Sequence, residues 1–261
     1  MKTLTMRTPL TAFILLLVLA PALQAQARRA PYGLPAGALV VEERALEVED
    51  GKKRALVLWM VRPQKYPRGD EEESYTCPEE TRGSFYRGPA RVSLVDTAAG
   101  RVVNTLRVLQ EYADGSDEFD LPYRIRAGGY YHVERTPGGS EGRPTIMWLR
   151  DYNGDGRARE FALFDALACM GLETALFGYS EKFDRVIQYP VSIETTDADG
   201  KKTAQVLTWV DYLFSKAPTG PGRWEYEIDY RGRGGSLDRY EVRYFPQAER
   251  FEGTVSRTSE R

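Results

Sequence analysis

Short runs of β-branched, aromatic and aliphatic residues, broken again and again by glycine, proline and aspartate, constrain this chain more than any other feature. The run from Ala38 to Glu49 alternates through Leu46 and Val48, stops at Asp50-Gly51, and resumes from Arg54 to Arg62 with Leu56, Leu58 and Met60. Two β-rich runs joined through Asp-Gly signal a hairpin. A second hairpin is predicted from Arg91 to Asp96 and from Arg101 to Leu109, turning at Ala98-Ala99-Gly100. There Val92, Leu94, Val102, Leu106 and Val108 show the period of two expected when one face is buried. Further strands are predicted at Phe119–Ile125, Tyr130–Glu134, Thr145–Leu149, Val186–Glu194, Gln205–Phe214, Trp224–Tyr230 and Tyr240–Phe245. Such spacing predicts a mainly β fold: one antiparallel domain over residues 38–261, with sandwich and propeller-like arrangements both open. No unit recurs at a fixed period. Residues 166–179, rich in alanine and leucine, fit least well, and the expectation there is a strand to Asp165 followed by a short helix or turn.

Residues 1–25 are built differently. Lys2 and Arg7 precede an apolar run from Ala12 to Leu23, and small residues follow at Leu23-Gln24-Ala25 and Ala25-Gln26-Ala27. Basic, apolar and A-x-A-like segments in that order form a cleavable export signal. The run falls short of the ~20 residues that span hydrocarbon, and Pro21 interrupts it. A secreted or periplasmic protein is expected, with no integral membrane segment in the mature chain and a flexible lead-in at 26–37. In such a compartment the widely separated pair Cys77 and Cys169 is expected to form a disulfide. Closing so long a loop stabilises by roughly 4–5 kcal/mol in the chain-entropy account. Lys and Arg number 36 against 38 Asp and Glu, for a net charge of −2, without a basic cluster. That balance argues against nucleic acid and against an anionic membrane surface as the main partner.

The richest local pattern is Asp151-Tyr152-Asn153-Gly154-Asp155-Gly156-Arg157-Ala158-Arg159-Glu160. Ca²⁺ takes six to eight oxygens, and oxygens at alternate positions of a tight loop converge on one point. Asp151, Asn153 and Asp155 stand at positions 1, 3 and 5, the Arg157 carbonyl is available at position 7, and Gly156 falls at position 6, where the chain turns sharply. Over these ten residues the chain resembles the D-x-N-x-D-G loops of EF-hands, dockerin modules and integrin-type propeller blades, and the resemblance implies Ca²⁺ held at those positions. It departs from the EF-hand pattern at position 12, which is Ala162, and at position 9, which is Arg159, leaving Glu160 as the nearest substitute for the missing glutamate. Asn-Gly and Asp-Gly are also ordinary turn residues, so an acidic turn without an ion is the competing reading. An incomplete set of ligands predicts a weak site, roughly 10⁻⁴–10⁻³ M, that is structural rather than regulatory. Asp197-Ala198-Asp199-Gly200 is a fainter echo and reads as a plain hairpin turn.

Catalytic patterns are sparse. His132 is the single histidine, so His-rich zinc sites cannot be assembled, and it alternates within an apolar run as a strand residue does. There is no phosphate-cradling loop with Lys and Ser/Thr. Glu111, Asp114, Asp117, Glu118 and Asp120 crowd one segment and read as a solvated loop rather than a catalytic pair. Trp59, Trp148, Trp209 and Trp224 could stack on sugars, but core packing is the plainer use. The expectation is therefore an exported, non-enzymatic binding or structural protein with a Ca²⁺-stabilised loop and a carbohydrate or protein ligand. The alternatives are a carboxylate-based extracellular glycoside hydrolase and an envelope partner-binding subunit that offers a free strand edge.

Overall fold

The computed structural model describes residues 31–66, 79–80, 85–110, 115–121, 125–126, 132–135, 141–167 and 171–259. They form strands and turns, and the helical pieces among them are three-residue 3₁₀ turns. No helix among the described residues is long and apolar enough to cross a membrane. The first sheet holds β1 (Ala38–Leu46), β2 (Arg54–Val61), β3 (Gln64–Tyr66), β5 (Phe85–Asp96), β6 (Arg101–Arg107) and β7 (Glu118–Leu121). Its spine is β5, whose second half is flanked by β2 and β6 and whose first half is flanked by β3 and β7. Two small ladders join β4 (Glu79–Glu80) to β8 (Ile125–Arg126) and β9 (His132–Arg135) to β10 (Glu141–Thr145).

The second sheet is the hairpin β11 (Glu160–Leu167) and β12 (Gly171–Ser180), with β13 (Arg185–Gln188) and β16 (Val210–Asp211) along the outer edge of β12. The third runs in the order β15 (Lys202–Leu207), β14 (Val191–Thr196), β19 (Arg250–Thr258), β18 (Leu237–Phe245) and β17 (Arg223–Asp229). Its β14–β19 pair is parallel, and every other ladder among the described residues is antiparallel.

Packing makes the β11–β12 hairpin the middle layer. Phe161, Leu163, Ala175 and Phe177 face the first sheet, packed with Leu58, Val92 and Leu94. Their neighbours Ala162 and Leu176 face the third sheet, packed with Val191, Trp224 and Phe251. A strand buried on both faces shows no alternation of apolar and polar residues. This is why 171–179 imitates a helix: each residue of β12 is buried, and pairing along both edges overrides its local propensity. The helix or turn expected after Asp165 is thus replaced by the remainder of β11 and by β12.

Within residues 31–37, at the end of the expected lead-in, two side chains make contacts with the first sheet. Leu34 is buried against Val57, Trp59 and Val95, covering the outer face of the first sheet, and the Tyr32 hydroxyl donates to Glu43 at 2.6 Å. Both expected hairpins form, while the run Val186–Glu194 divides at Pro190 into β13 and β14. β19, the centre of the third sheet, escapes sequence reading because Arg250, Glu252, Gly253 and Ser256 dilute its apolar positions. Between the first and second sheets, Arg54 spans Asp96 (2.7 Å) and Asp184 (2.8 Å), and Asp184 also accepts from the Tyr179 hydroxyl at 3.0 Å.

Truncating the middle layer tests this arrangement. Phe177, fully buried and stacked 5.8 Å from Phe161, should cost roughly 3–5 kcal/mol on Phe177→Ala. Exposed Val206→Ala should stay within about 0.5 kcal/mol. Chemical denaturation measures both, and equal costs would contradict the layer order.

Candidate metal centre at the 151–160 loop

The loop begins and ends on one backbone pair. The Arg150 N–H donates to the Glu160 carbonyl at 2.8 Å and the Glu160 N–H returns to the Arg150 carbonyl at 3.2 Å, so the chain between them must close on itself. The turn is organised by Asp151. Its Oδ1 accepts the N–H groups of Gly154 (2.7 Å) and Asp155 (3.1 Å), and its Oδ2 accepts that of Gly156 (2.8 Å). Asn153 Oδ1 accepts the Asp155 N–H at 2.9 Å, and Asp155 Oδ1 accepts the Arg157 N–H at 2.8 Å. These inward-turned amides depend on left-handed backbone at Gly154 (φ +78°) and Gly156 (φ +85°). Gly154 is needed for space as well, because a Cβ there would lie 2.6 Å from the Pro221 carbonyl carbon in the turn before β17.

Glu160 folds back under this turn. Its side chain is fully buried, with Oε2 accepting the Tyr152 N–H at 3.1 Å and Oε1 accepting from Asn153 Nδ2 at 3.2 Å. The same amide nitrogen reaches Asp155 Oδ2 at 3.3 Å, so it lies between two carboxyl groups. Room for Glu160 comes from Gly178, its cross-strand partner in β12, where a Cβ would sit 2.7 Å from Glu160 Cγ. Burial pushes the Glu160 carboxyl up to about 8; the Tyr152 N–H opposes the rise, and the nearby Asp155 and Asp151 charges add to it.

Around this centre the loop grips all three sheets. Tyr152 is buried in the third-sheet core, stacked on Trp224 (6.3 Å between ring centres) and edge-on to Phe214 (5.9 Å). The Arg157 guanidinium pairs with Glu49, in the turn before β2, and with Glu181, after β12, at 3.0 Å. Arg159 adds a 3.4 Å contact to Glu181.

The structure thus brings Asp151, Asn153, Asp155 and Glu160 together. The Arg157 carbonyl accepts the Arg159 N–H at 3.1 Å, and its side chain leaves for Glu49 and Glu181. Among the described residues no three His, Cys, Asp or Glu side chains form a ready metal cage. In this loop the Asn153 amide stands where the carboxylates would share an ion, and three backbone amides occupy Asp151.

Cys77 and Cys169 lie outside the described residues, as do Glu111 and Asp114. His132 lies in β9, in register with Thr145. Asp117 pairs with Arg91 (2.7 Å) and Arg107 (3.2 Å), a structural use of its charge. Trp59, Trp209 and Trp224 are core residues, while Trp148 is 38% exposed with the Arg150 guanidinium 3.3 Å above its ring. Asp197–Gly200 is the β14–β15 turn.

Sequence reasoning missed Tyr152 and Gly178. An aromatic residue inside an otherwise polar turn and a glycine inside an apolar run were the available signals, the second marking a close approach of backbone. Comparison with known proteins finds no matching family, no curated relative and no solved structure of similar fold.

The buried carboxyl makes cation-free stability depend on pH. Glu160 holds its proton to about 8 in the fold, against an ordinary value of 4.5. The stability it lends is complete below 4.5 and is lost as pH rises toward about 8, at about 1.4 kcal/mol per pH unit. Glu160→Gln stays neutral and keeps an acceptor for the Tyr152 N–H. In chelator, its melting temperature should fall less between those pH values than that of the parent chain, and parallel curves would contradict a protonated Glu160.

Proposed function

We propose that this chain is a non-enzymatic binding or structural protein, working outside the cytoplasm, whose 151–160 loop takes up Ca²⁺ to lock three sheets together. The observation that carries this reading is the convergence of Asp151, Asn153, Asp155 and a buried Glu160 under one glycine-curled turn. Two acidic residues and a proton-bearing glutamate in so small a space repel one another as the glutamate ionises, and a divalent cation relieves that repulsion.

In the cation-free loop the Asn153 amide nitrogen bridges Asp155 and Glu160. Turned about its terminal bond, the same amide offers its oxygen, and the ion takes over the bridging role. An all-oxygen set drawn from an irregular turn suits Ca²⁺ better than Mg²⁺, which demands near-ideal octahedral geometry. Because Tyr152, Arg157 and Gly154 connect this turn to all three sheets, an ion held there acts as a structural clamp. The export signal at 1–25 and a Cys77–Cys169 disulfide belong to the same reading, since an extracellular compartment supplies both calcium and oxidising conditions.

Thermal melting gives the test. Calcium at about 10 mM, roughly 10–100 times the expected dissociation constant, should add about 1.4–2.7 kcal/mol. Asp151→Ala combined with Asp155→Ala should abolish the gain. Identical melting of the parent chain in calcium and in chelator would overturn the clamp.

A further inference from the structure

The chain holds two asparagines, and they stand in opposite settings. Asn153 precedes Gly154, whereas Asn104 precedes the β-branched Thr105. An asparagine side chain can cyclise onto the main-chain nitrogen that follows it, and glycine, lacking a Cβ, leaves that nitrogen open to approach. Three groups speed such a step: a base on the nitrogen, a donor on the amide oxygen, and an acid or relay beside the departing nitrogen.

The 151–160 loop brings all three to Asn153. The Gly154 N–H donates to Asp151 Oδ1 at 2.7 Å, so the nucleophilic nitrogen already rests on a carboxyl oxygen. Asn153 Oδ1 accepts the Asp155 N–H at 2.9 Å, the donor required as charge builds on that oxygen. The same bond closes a ring of the chain that contains both reacting atoms, Asn153 Cγ and the Gly154 nitrogen. Asn153 Nδ2 meets Glu160 Oε1 at 3.2 Å and Asp155 Oδ2 at 3.3 Å. Asn153 and Gly154 are half-buried beside exposed Asp155 and Gly156, which gives water access. Asn104 is the contrast: it lies within β6, with both ends of its amide tied to the Val186 main chain at 2.9 Å.

We propose that the folded loop modifies itself at Asn153, replacing the amide that bridges Asp155 and Glu160 by a carboxylate. The Gly154 nitrogen bonds to Asn153 Cγ while its proton passes to Asp151. The Cγ–Nδ2 bond breaks, and the departing nitrogen takes that proton and leaves as ammonia. Water then opens the cyclic imide to aspartate or isoaspartate. One water is consumed, one ammonia is released, and nothing is oxidised or reduced.

The aspartate product carries carboxyl groups at 151, 153 and 155. Without a cation, the donor shared by Asp155 and Glu160 is gone and a like charge stands in its place. With calcium, a further carboxylate joins the ligands, and ligand charge strengthens Ca²⁺ binding. Only this last consequence rests on the calcium reading; the chemistry at Asn153 does not.

The purified chain, aged in chelator at neutral pH either folded or unfolded in urea, provides the test, with peptide mapping by mass spectrometry at both asparagines. Asn153 should convert about tenfold or more faster in the folded chain than in urea. Isoaspartate, detected with isoaspartyl methyltransferase, should be among the products, and Asn104 should keep its amide in the folded chain. Asp151→Asn retains an oxygen for the Gly154 N–H but loses the base, and should slow conversion about tenfold or more. The urea comparison uses the parent chain alone, so it stands even where Asp151→Asn disturbs the turn. Asn153→Asp should melt below the parent in chelator and gain more from calcium. Melting of both chains indifferent to calcium would remove the calcium reading and leave the modification standing. Conversion no faster in the fold than in urea, Asp151→Asn converting at the parent rate, a product free of isoaspartate, or Asn153→Asp melting like the parent in chelator would each overturn the proposal.

Discussion

A carboxyl group without access to water opens β11, and the surrounding molecule is shaped to hold it. Glu160 is placed by its cross-strand partner Gly178, capped by the Tyr152 N–H and bridged by the Asn153 amide. Burying an ionised carboxylate alone is prohibitive, so such a group either keeps its proton or finds a positive partner. In the proposed reading calcium is that partner, and the choice between proton and ion links pH, calcium and stability.

The consequences spread because Glu160 begins the central layer. The β11–β12 hairpin carries one apolar face to the first sheet and another to the third, so a disturbance at its start reaches both cores. The adjoining loop repeats this position on the surface, with Tyr152 in the third-sheet core, Arg157 on the turn before β2, and Gly154 against Pro221. Surface ion pairs such as Arg157–Glu49 contribute little singly. Their value here is geometric, since they fix a loop whose own hydrogen bonds already determine its shape.

What could be read from the sequence follows from how each element is buried. The β1–β2 and β5–β6 hairpins were legible because turn residues at Asp50-Gly51 and Ala98-Ala99-Gly100 punctuate recognisable strands. β12 was not legible, because burial on both faces erased its period and left a helix-like composition. β19 was missed for the opposite reason, its polar residues facing outward around a few buried ones. At the loop, the spacing of Asp151, Asn153 and Asp155 marked the turn, but the fate of Glu160 depended on Gly178, eighteen residues away in the chain and directly across the ladder. Long-range pairing of that kind leaves no local trace. The packing of Leu34 against the first sheet is a similar case, since the face that needed covering is made by β2 and β5.

Infrared difference spectroscopy at neutral pH would examine the Glu160 proton most directly. The account predicts a protonated-carboxyl band in calcium-free protein that disappears on adding calcium and is missing from Glu160→Gln. A Glu160 already ionised without calcium, or a band unchanged by saturating calcium, would contradict it.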